Sequence, residues 1–217
     1  MKKTCALVAV AVMLLPLLSR AQMISATPGI GGVKFSGGIK LGVNLARLNG
    51  SDWEGGYKTN LLGGAYASLH GGKFGVQVEG LFTQSSYTTG KDFYSIYNQY
   101  YNNAIDSARQ GTFRVSYLSI PVLLQYRIMK RVWVQAGPQY SGIVNTKDND
   151  KLVKDAGELF KSGSFSGVAG LWISLGTHLN VGGRYVFSFS DEKNITTQMA
   201  SDAWKRRDIQ VHLGFTF

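Results

Sequence analysis

The 217-residue sequence is poor in cysteine, charge and histidine, and each shortage excludes a class of protein. Its one cysteine, Cys5, permits neither an intrachain disulfide framework nor a cysteine-based zinc site. Only 17% of the residues are charged, whereas soluble proteins carry about 25%. Aromatic residues make up 12% of the chain, too many for a disordered polymer. The composition therefore indicates a folded protein without disulfides.

The N-terminus has the pattern of an export signal. Two lysines precede an apolar run over residues 6–18, and a small-residue cleavage site ends at Ala21. This run is shorter than the roughly 20 residues that a membrane-spanning helix needs. We expect residues 1–21 to be a cleaved signal peptide and residues 22–217 to form one domain. Because an exported protein leaves the compartment of nucleic acids, the formal charge of +10 does not predict a nucleic-acid partner.

The remaining chain alternates between apolar and polar residues, which gives a β-strand one apolar and one polar face. The pattern predicts eight strands, near residues 33–45, 58–69, 73–87, 112–127, 132–144, 164–175, 178–189 and 209–217. In the fourth strand the apolar residues change from odd to even positions between Tyr117 and Ile120. We interpret this change as a β-bulge near residues 119–121.

Short and long connections alternate strictly between these strands. The short turns lie at residues 70–72, 129–131 and 176–177, and the long polar loops at 46–57, 88–111, 145–163 and 190–205. A soluble eight-stranded barrel would face its hydrophobic residues inward and show no such bias. The sequence therefore predicts an all-β, eight-stranded antiparallel transmembrane β-barrel of the bacterial outer membrane, with short periplasmic turns and long extracellular loops.

Two central segments resemble a known family. Residues 117–126 (YLSIPVLLQY) and 134–140 (VQAGPQY) are similar to the central motif of the PorT-like outer-membrane β-barrel family. Residues 35–44 (FSGGIKLGVN) are similar to its first strand, and residues 183–185 (GRY) to a later one. The resemblance implies an outer-membrane location and an eight-stranded barrel but little chemistry. The name-giving member acts in type IX secretion, and fold likeness alone does not transfer that role.

Residues for catalysis or metal binding are scarce. His70 and His178 fall at predicted periplasmic turns, and His212 faces the predicted lumen, so no general base is placed near the outer face. Asp148 and Asp150 hint at a calcium loop, but the residues that follow lack the next ligand and the turn glycine. We therefore predict no catalytic residue, no metal and no cofactor.

The loop at residues 88–111 allows two interpretations. Its aromatic residues are Phe93, Tyr94, Tyr97, Tyr100 and Tyr101. Interspersed with Asn, Gln and Ser, they are typical of a contact surface for peptides or glycans. Alternatively, three of them at a spacing of four residues form one face of a short helix that covers the barrel mouth, which we favour.

Charged residues suggest two further sites. Lys205, Arg206 and Arg207, at the outer end of the last strand, are candidates for pairing with lipopolysaccharide phosphates, with a solvated charge cluster as the equal alternative.

Lys40, Glu79 and Arg184 all point inward by alternation and lie at similar depths along their strands. An unpaired charge in so narrow a lumen is costly, so we expect a plug centred on Glu79.

The last strand carries two predictions. Phe215 and Phe217 resemble the C-terminal aromatic signal that the barrel-assembly machinery recognises, with an aromatic-belt role as the alternative. Leu213 is predicted to face lipid, so Leu213→Arg should destabilise the barrel, whereas Gly214→Ser, at an inward position, should be milder.

These observations predict a non-enzymatic outer-membrane barrel with a structural or interaction role, accessory to secretion or envelope organisation. Two alternatives stay open: a ligand-binding or adhesive barrel that acts through its extracellular loops, and a small passive channel. The expected partners are outer-membrane lipid and lipopolysaccharide, the barrel-assembly machinery, and other envelope or secretion proteins.

Overall fold

The computed structural model describes residues 32–50, 52–91, 93, 110–150, 153, 157, 159–194 and 203–217. Eight strands follow one another along the chain: β1 (Val33–Asn49), β2 (Lys58–Gly71), β3 (Phe74–Thr88), β4 (Thr112–Met129), β5 (Val132–Asp148), β6 (Gly163–Ser174), β7 (Leu179–Ser188) and β8 (Lys205–Thr216). The predicted signal peptide, residues 1–21, lies outside the described residues.

The strands form one closed antiparallel barrel. Each strand pairs with its neighbours in sequence, and β8 pairs back with β1, with Leu41 opposite Leu213 and Asn49 opposite Lys205. Closure pairs the backbone groups of both end strands, which a membrane interior requires. The predicted eight-stranded antiparallel barrel is thus confirmed. Both end strands run beyond the predicted bounds, to Asn49 and from Lys205, because the ladder continues where the apolar alternation has ended.

The two faces of the barrel differ in polarity. Leu41, Leu61 and Leu124 point outward and are 66%, 68% and 67% exposed. Lys40 and Glu79, at inward positions, are almost fully buried. An apolar outer face around a polar interior is the arrangement of a membrane barrel. Within the described ranges, no helix is long and apolar enough to cross a membrane.

The two ends of the barrel differ in their connections. At one end the strands are joined by short turns, such as residues 72–73, where Gly72 has a φ of 61° that favours glycine. At the other end the connections span residues 50–57, 89–111, 149–162 and 189–204. This alternation agrees with the predicted short turns and long loops.

Strand β4 keeps one inward face along its length, so the bulge predicted from its change of pattern is wrong. Phe113, Val115 and Tyr117 are completely buried, and continued alternation then leaves Ile120 exposed on the outside. The apolar residues change face because the lumen is apolar near the long loops and polar below them. The register between β4 and β5 instead shifts between Ser116 and Tyr117.

Candidate functional site

Three charged side chains meet inside the barrel, where strand alternation directs them. Lys40 Nζ lies 2.6 Å from Glu79 Oε1, and Arg184 Nη1 lies 2.7 Å from Glu79 Oε2. Their side chains are at most 1% exposed. Each carboxylate oxygen of Glu79 therefore has its own cation, which offsets the free energy lost when these groups leave water.

The ion pair between Glu79 and Arg184 joins opposite walls. Strands β3 and β7 are four strands apart in a closed barrel of eight, so they face each other across its diameter. Gln77 donates to the Glu79 carboxylate and accepts a hydrogen bond from Gln125 at 3.0 Å. On the far side, Arg184 Nε donates to Gln210 Oε1 at 2.6 Å. These residues and Lys40, here called the lumen belt, cross the full width of the barrel.

Aromatic rings complete the surroundings of Lys40. Its Nζ atom lies 4.2 Å from the centroid of the Trp172 ring and 5.2 Å from that of Tyr66, which are cation–π distances. The Trp172 ring fills the space beside Gly214, where an added Cβ atom would overlap it. Gly214 faces inward as expected, but serine there would overlap the Trp172 ring, so Gly214→Ser is not free of cost. That it is milder than Leu213→Arg stays a prediction.

A second buried charge cluster lies beyond the lumen belt, toward the long loops. Arg206 Nε is 3.6 Å from Asp208 Oδ2 and 3.8 Å from Glu192 Oε1. Its Nη2 atom donates to Ser141 Oγ at 3.0 Å, and its guanidinium lies 4.3 Å from the Tyr117 ring centroid. Because Glu192 belongs to the loop before β8, this cluster fastens that loop to the barrel wall.

Arg206 is consequently unsuitable for the predicted lipopolysaccharide contact. It is 1% exposed because its position in β8 faces the lumen. Lys205 is exposed and Arg207 half-buried on the outer face, where Arg207 lies opposite Arg47 of β1. Only two of the three predicted cations are therefore placed to meet a lipid headgroup.

An aromatic cluster, here called the outer cap, closes the barrel above these charges. Trp53, from the loop after β1, is at its centre, with ring centroids of five neighbours 4.9 to 5.9 Å away. The neighbouring rings belong to Tyr87, Phe93, Phe113, Phe160 and Trp204. All six side chains are at most 5% exposed. Each of the four long loops thus contributes at least one side chain to the cap.

Specific contacts tie the long loops to one another. Backbone bridges pair Trp53 with Thr89 and Phe160 with Lys193. The indole Nε1 of Trp204 donates to Asp52 Oδ2 at 3.2 Å. Polar and apolar contacts therefore act together, and the cap is one connected unit across all four loops.

The predicted aromatic contact surface is only partly described. Phe93 is 1% exposed within the outer cap, so it covers the barrel mouth and does not contribute to an exposed surface. The short helix that would also place Tyr97 and Tyr101 over the mouth stays a prediction. Tyr94, Tyr97, Tyr100 and Tyr101 lie outside the described residues.

Two of the three histidines are held by hydrogen bonds, and the third is buried in the lumen. His70 Nε2 is 2.6 Å from Gln125 Oε1, and His178 Nδ1 is 2.8 Å from the carbonyl oxygen of Thr216. His212 is 1% exposed in the lumen. All three therefore lie in the lumen or at the short-turn end, away from the outer cap.

The acidic pair in the third loop binds backbone amides. Asp148 accepts hydrogen bonds from the backbone of Asp150 at 3.0 Å and of Val153 at 2.9 Å, while Asp150 accepts one from Thr112 at 2.8 Å. In the described part of the chain, no group of three His, Cys, Asp or Glu residues is placed to hold a metal ion. Asp150 fastens the third loop to the first residue of β4, and Asp148 fastens the same loop to the end of β5.

The two C-terminal phenylalanines lie on the outer face. Phe215 and Phe217 are 47% and 41% exposed. The backbone N–H of Phe217 donates to Gly37 O at 2.9 Å, which continues the pairing of β8 with β1. This placement suits an aromatic belt, and the assembly signal stays a prediction.

The sequence pattern places Phe93 over the barrel mouth but does not predict the rest of the outer cap, although one further indication is present. Phe113, Val115 and Tyr117 occupy odd positions at the outer end of β4, and the odd positions of this strand from 113 to 125 all face inward. Strict alternation therefore predicts an apolar interior at this end of the barrel. Trp53 and Trp204 stand in otherwise polar loops, and a buried position is the usual place for so large an apolar ring.

Comparisons with known proteins bear on the fold. Residues 21–194 match the model of a family described as outer membrane protein beta-barrel domain. Neisserial surface protein A aligns with a TM-score of 0.52 at 10% identity over 86% of this chain and 99% of that one. The attachment invasion locus protein Ail of Yersinia pestis aligns with a TM-score of 0.46 at 13% identity, over 84% of this chain and 99% of that one. No curated relative matches the sequence.

Proposed function

The chain belongs to the outer membrane protein beta-barrel family, and from this premise we propose that it is a closed, non-enzymatic barrel with a structural or interaction role. The observation that carries the proposal is the double closure of the lumen. The lumen belt crosses the barrel from β3 to β7, and the outer cap covers its outer end. An eight-stranded barrel has an interior just wide enough for side chains, so two such layers should prevent the passage of ions and solutes.

The two alternative functions are less well supported. A passive channel needs a continuous water-filled path, and the Glu79–Arg184 ion pair spans the diameter. A loop-based adhesin is expected to display aromatic side chains on its outer surface, and the described long loops turn Trp53, Phe160 and Trp204 inward while Tyr57 and Phe189 stay exposed. The wall of the barrel and the outer surface of the loops, including Tyr57, are the regions left for contacts.

Several finer assignments belong to the same proposal. Export through the cleaved signal at residues 1–21, lipid contacts through Lys205 and Arg207, and recognition of Phe215 and Phe217 during assembly are all compatible with a barrel of this kind.

Membership of the PorT-like family, and with it an accessory role in secretion, rests on the motifs at residues 117–126 and 134–140 and on the shorter likeness at 35–44 and 183–185. In the barrel the residues of the first motif alternate between the lumen and lipid. Wall packing therefore accounts for the motif without a partner, and a secretion role needs separate support.

Crosslinking in intact cells tests the interaction role. A photoreactive residue at Tyr57, 40% exposed in the loop after β1, should capture an envelope protein of defined mass. The matched control at Leu61, 68% exposed on the lipid face, should not capture that protein. Capture of an added external protein or glycan at Tyr57 would instead favour the adhesin, and identical products at both positions would contradict a specific contact.

A further inference from the structure

A groove of about 360 Å³ lies on the outer surface of strands β3, β4 and β5, near the long loops. Its lining residues are Phe82, Gln84, Arg114, Ser116, Leu118, Val144, Asn145 and Lys147. The groove is separate from the lumen belt and the outer cap, because it is formed by residues on the opposite face of the same strands.

The groove is graded in polarity along the barrel axis. Its lowest row is apolar, with Phe82 opposite Leu118. The next row toward the loops is polar, with Ser116 opposite Gln84 on one side and Asn145 on the other. A cationic row follows, formed by Arg114 and Lys147. The surface therefore changes from apolar through polar to positive within a few residues of each strand.

The cationic row consists of Arg114 and Lys147, which lie directly opposite each other in the β4–β5 ladder. The register shift between Ser116 and Tyr117 creates this pairing. Tyr117 faces the lumen opposite Ile143, whereas Ser116 faces outward opposite Asn145, so β5 has one extra residue here. Without that residue, strict alternation from Ile143 would direct Lys147 into the lumen.

This pair of cations has no acidic partner among the described residues. No carboxylate oxygen there lies within 4.0 Å of either charged group, and the nearby Asp150 carboxylate accepts a hydrogen bond from the backbone of Thr112. Like charges directly opposite on neighbouring strands destabilise a sheet. An arginine and a lysine held together in this way form a site for an anionic group.

We propose that this groove binds a phosphorylated glycolipid of the outer leaflet, of the lipid A type. Arg114 and Lys147 pair with a headgroup phosphate, and the polar row meets the sugar hydroxyl and amide groups. The acyl chains follow the apolar row at Phe82 and Leu118 into the membrane. The order of the three rows along the barrel axis matches the order of phosphate, sugar and acyl chain, and a free anion would use only the first row.

Retention of lipid A by the purified barrel tests the proposal. Folded protein in detergent is incubated with bisphosphorylated lipid A, washed, and the bound lipid is quantified by mass spectrometry. The double variant R114Q/K147Q should bind about tenfold more weakly, or worse, because it loses two charge-assisted hydrogen bonds. Its folded state is checked by the heat-dependent shift in electrophoretic mobility.

The same β4–β5 hairpin offers a matched control at its other end. Lys130 and Arg131 are exposed at the short turn, and K130Q/R131Q should bind lipid A like the unchanged protein. Lipid A without phosphates should bind the unchanged protein as weakly as bisphosphorylated lipid A binds R114Q/K147Q. Equal losses in both variants, no loss in R114Q/K147Q, or full displacement of lipid A by inorganic phosphate would each overturn the proposal.

Discussion

The lumen belt and the outer cap close the same barrel by different means. The belt is built from strand residues around Glu79, and opposite charges compensate each other there. The cap is built largely from loop residues around Trp53, and it is held by aromatic contacts and a few hydrogen bonds. Removing one member of the belt leaves uncompensated charge, whereas removing one member of the cap leaves a cavity. The two regions should therefore respond differently to substitution.

The largest effect is expected in the belt, for Glu79→Gln. The change leaves the cations of Lys40 and Arg184 buried against a neutral amide, which should lower the free energy of unfolding by about 3 to 5 kcal/mol. Urea titration of the barrel in lipid vesicles measures this change.

The control is Glu54→Gln, which removes the exposed pair of Glu54 and Lys58, 3.4 Å apart. Its effect should stay below about 1 kcal/mol. Equal effects of Glu79→Gln and Glu54→Gln would show that the lumen belt is not a low-dielectric site.

The outer cap should respond next, to Trp53→Ala. Loss of the central ring should lower the free energy of unfolding by about 3 kcal/mol. This is the lower end of the range for a buried tryptophan, because the loops can partly close the cavity that the ring leaves. The long loops should also become more sensitive to protease, since the cap can open while the barrel stays folded. Tyr57→Ala, in the same loop but 40% exposed, is the control. Unchanged protease sensitivity in Trp53→Ala would contradict a connected cap.

The outer face of β8, which contacts lipid, provides a third region to compare with the lumen belt and the outer cap. Leu213 is 55% exposed and lies opposite Leu41 of β1. Leu213→Arg should lower stability by about 2 to 4 kcal/mol if this pair is near the bilayer midplane. Leu213→Ala, which keeps the position apolar, should have a smaller effect in the same titration. Equal effects would argue against the outward orientation.

The smallest effect is expected beside the lumen belt, for Gly214→Ser. The added atoms overlap the Trp172 ring, and overpacking of this kind lowers stability by about 1 to 3 kcal/mol. Gly183→Ser is the control, because a Cβ atom there meets nothing within 4 Å. A neutral result for Gly214→Ser would mean that Trp172 moves freely in the lumen.

The lumen belt could be predicted from the sequence, and most of the outer cap could not. Lys40, Glu79 and Arg184 follow from strand alternation, because a closed barrel fixes both the direction and the approximate depth of every strand residue. No such periodicity places Trp53 or Trp204, whose positions depend on contacts between loops far apart in sequence. Arg206 differs for another reason: its charge suggests a surface position, and the apolar alternation of β8 begins only at Ile209, yet its even position in the strand directs it inward.

A closed lumen should leave the purified barrel without conductance in planar lipid bilayers. The unchanged protein should show no steady open level. Trp53→Ala should show none either, because the Glu79–Arg184 ion pair still crosses the lumen when the cap is damaged. A steady, large conductance of the unchanged, folded protein would show that the lumen is open and would favour the passive channel.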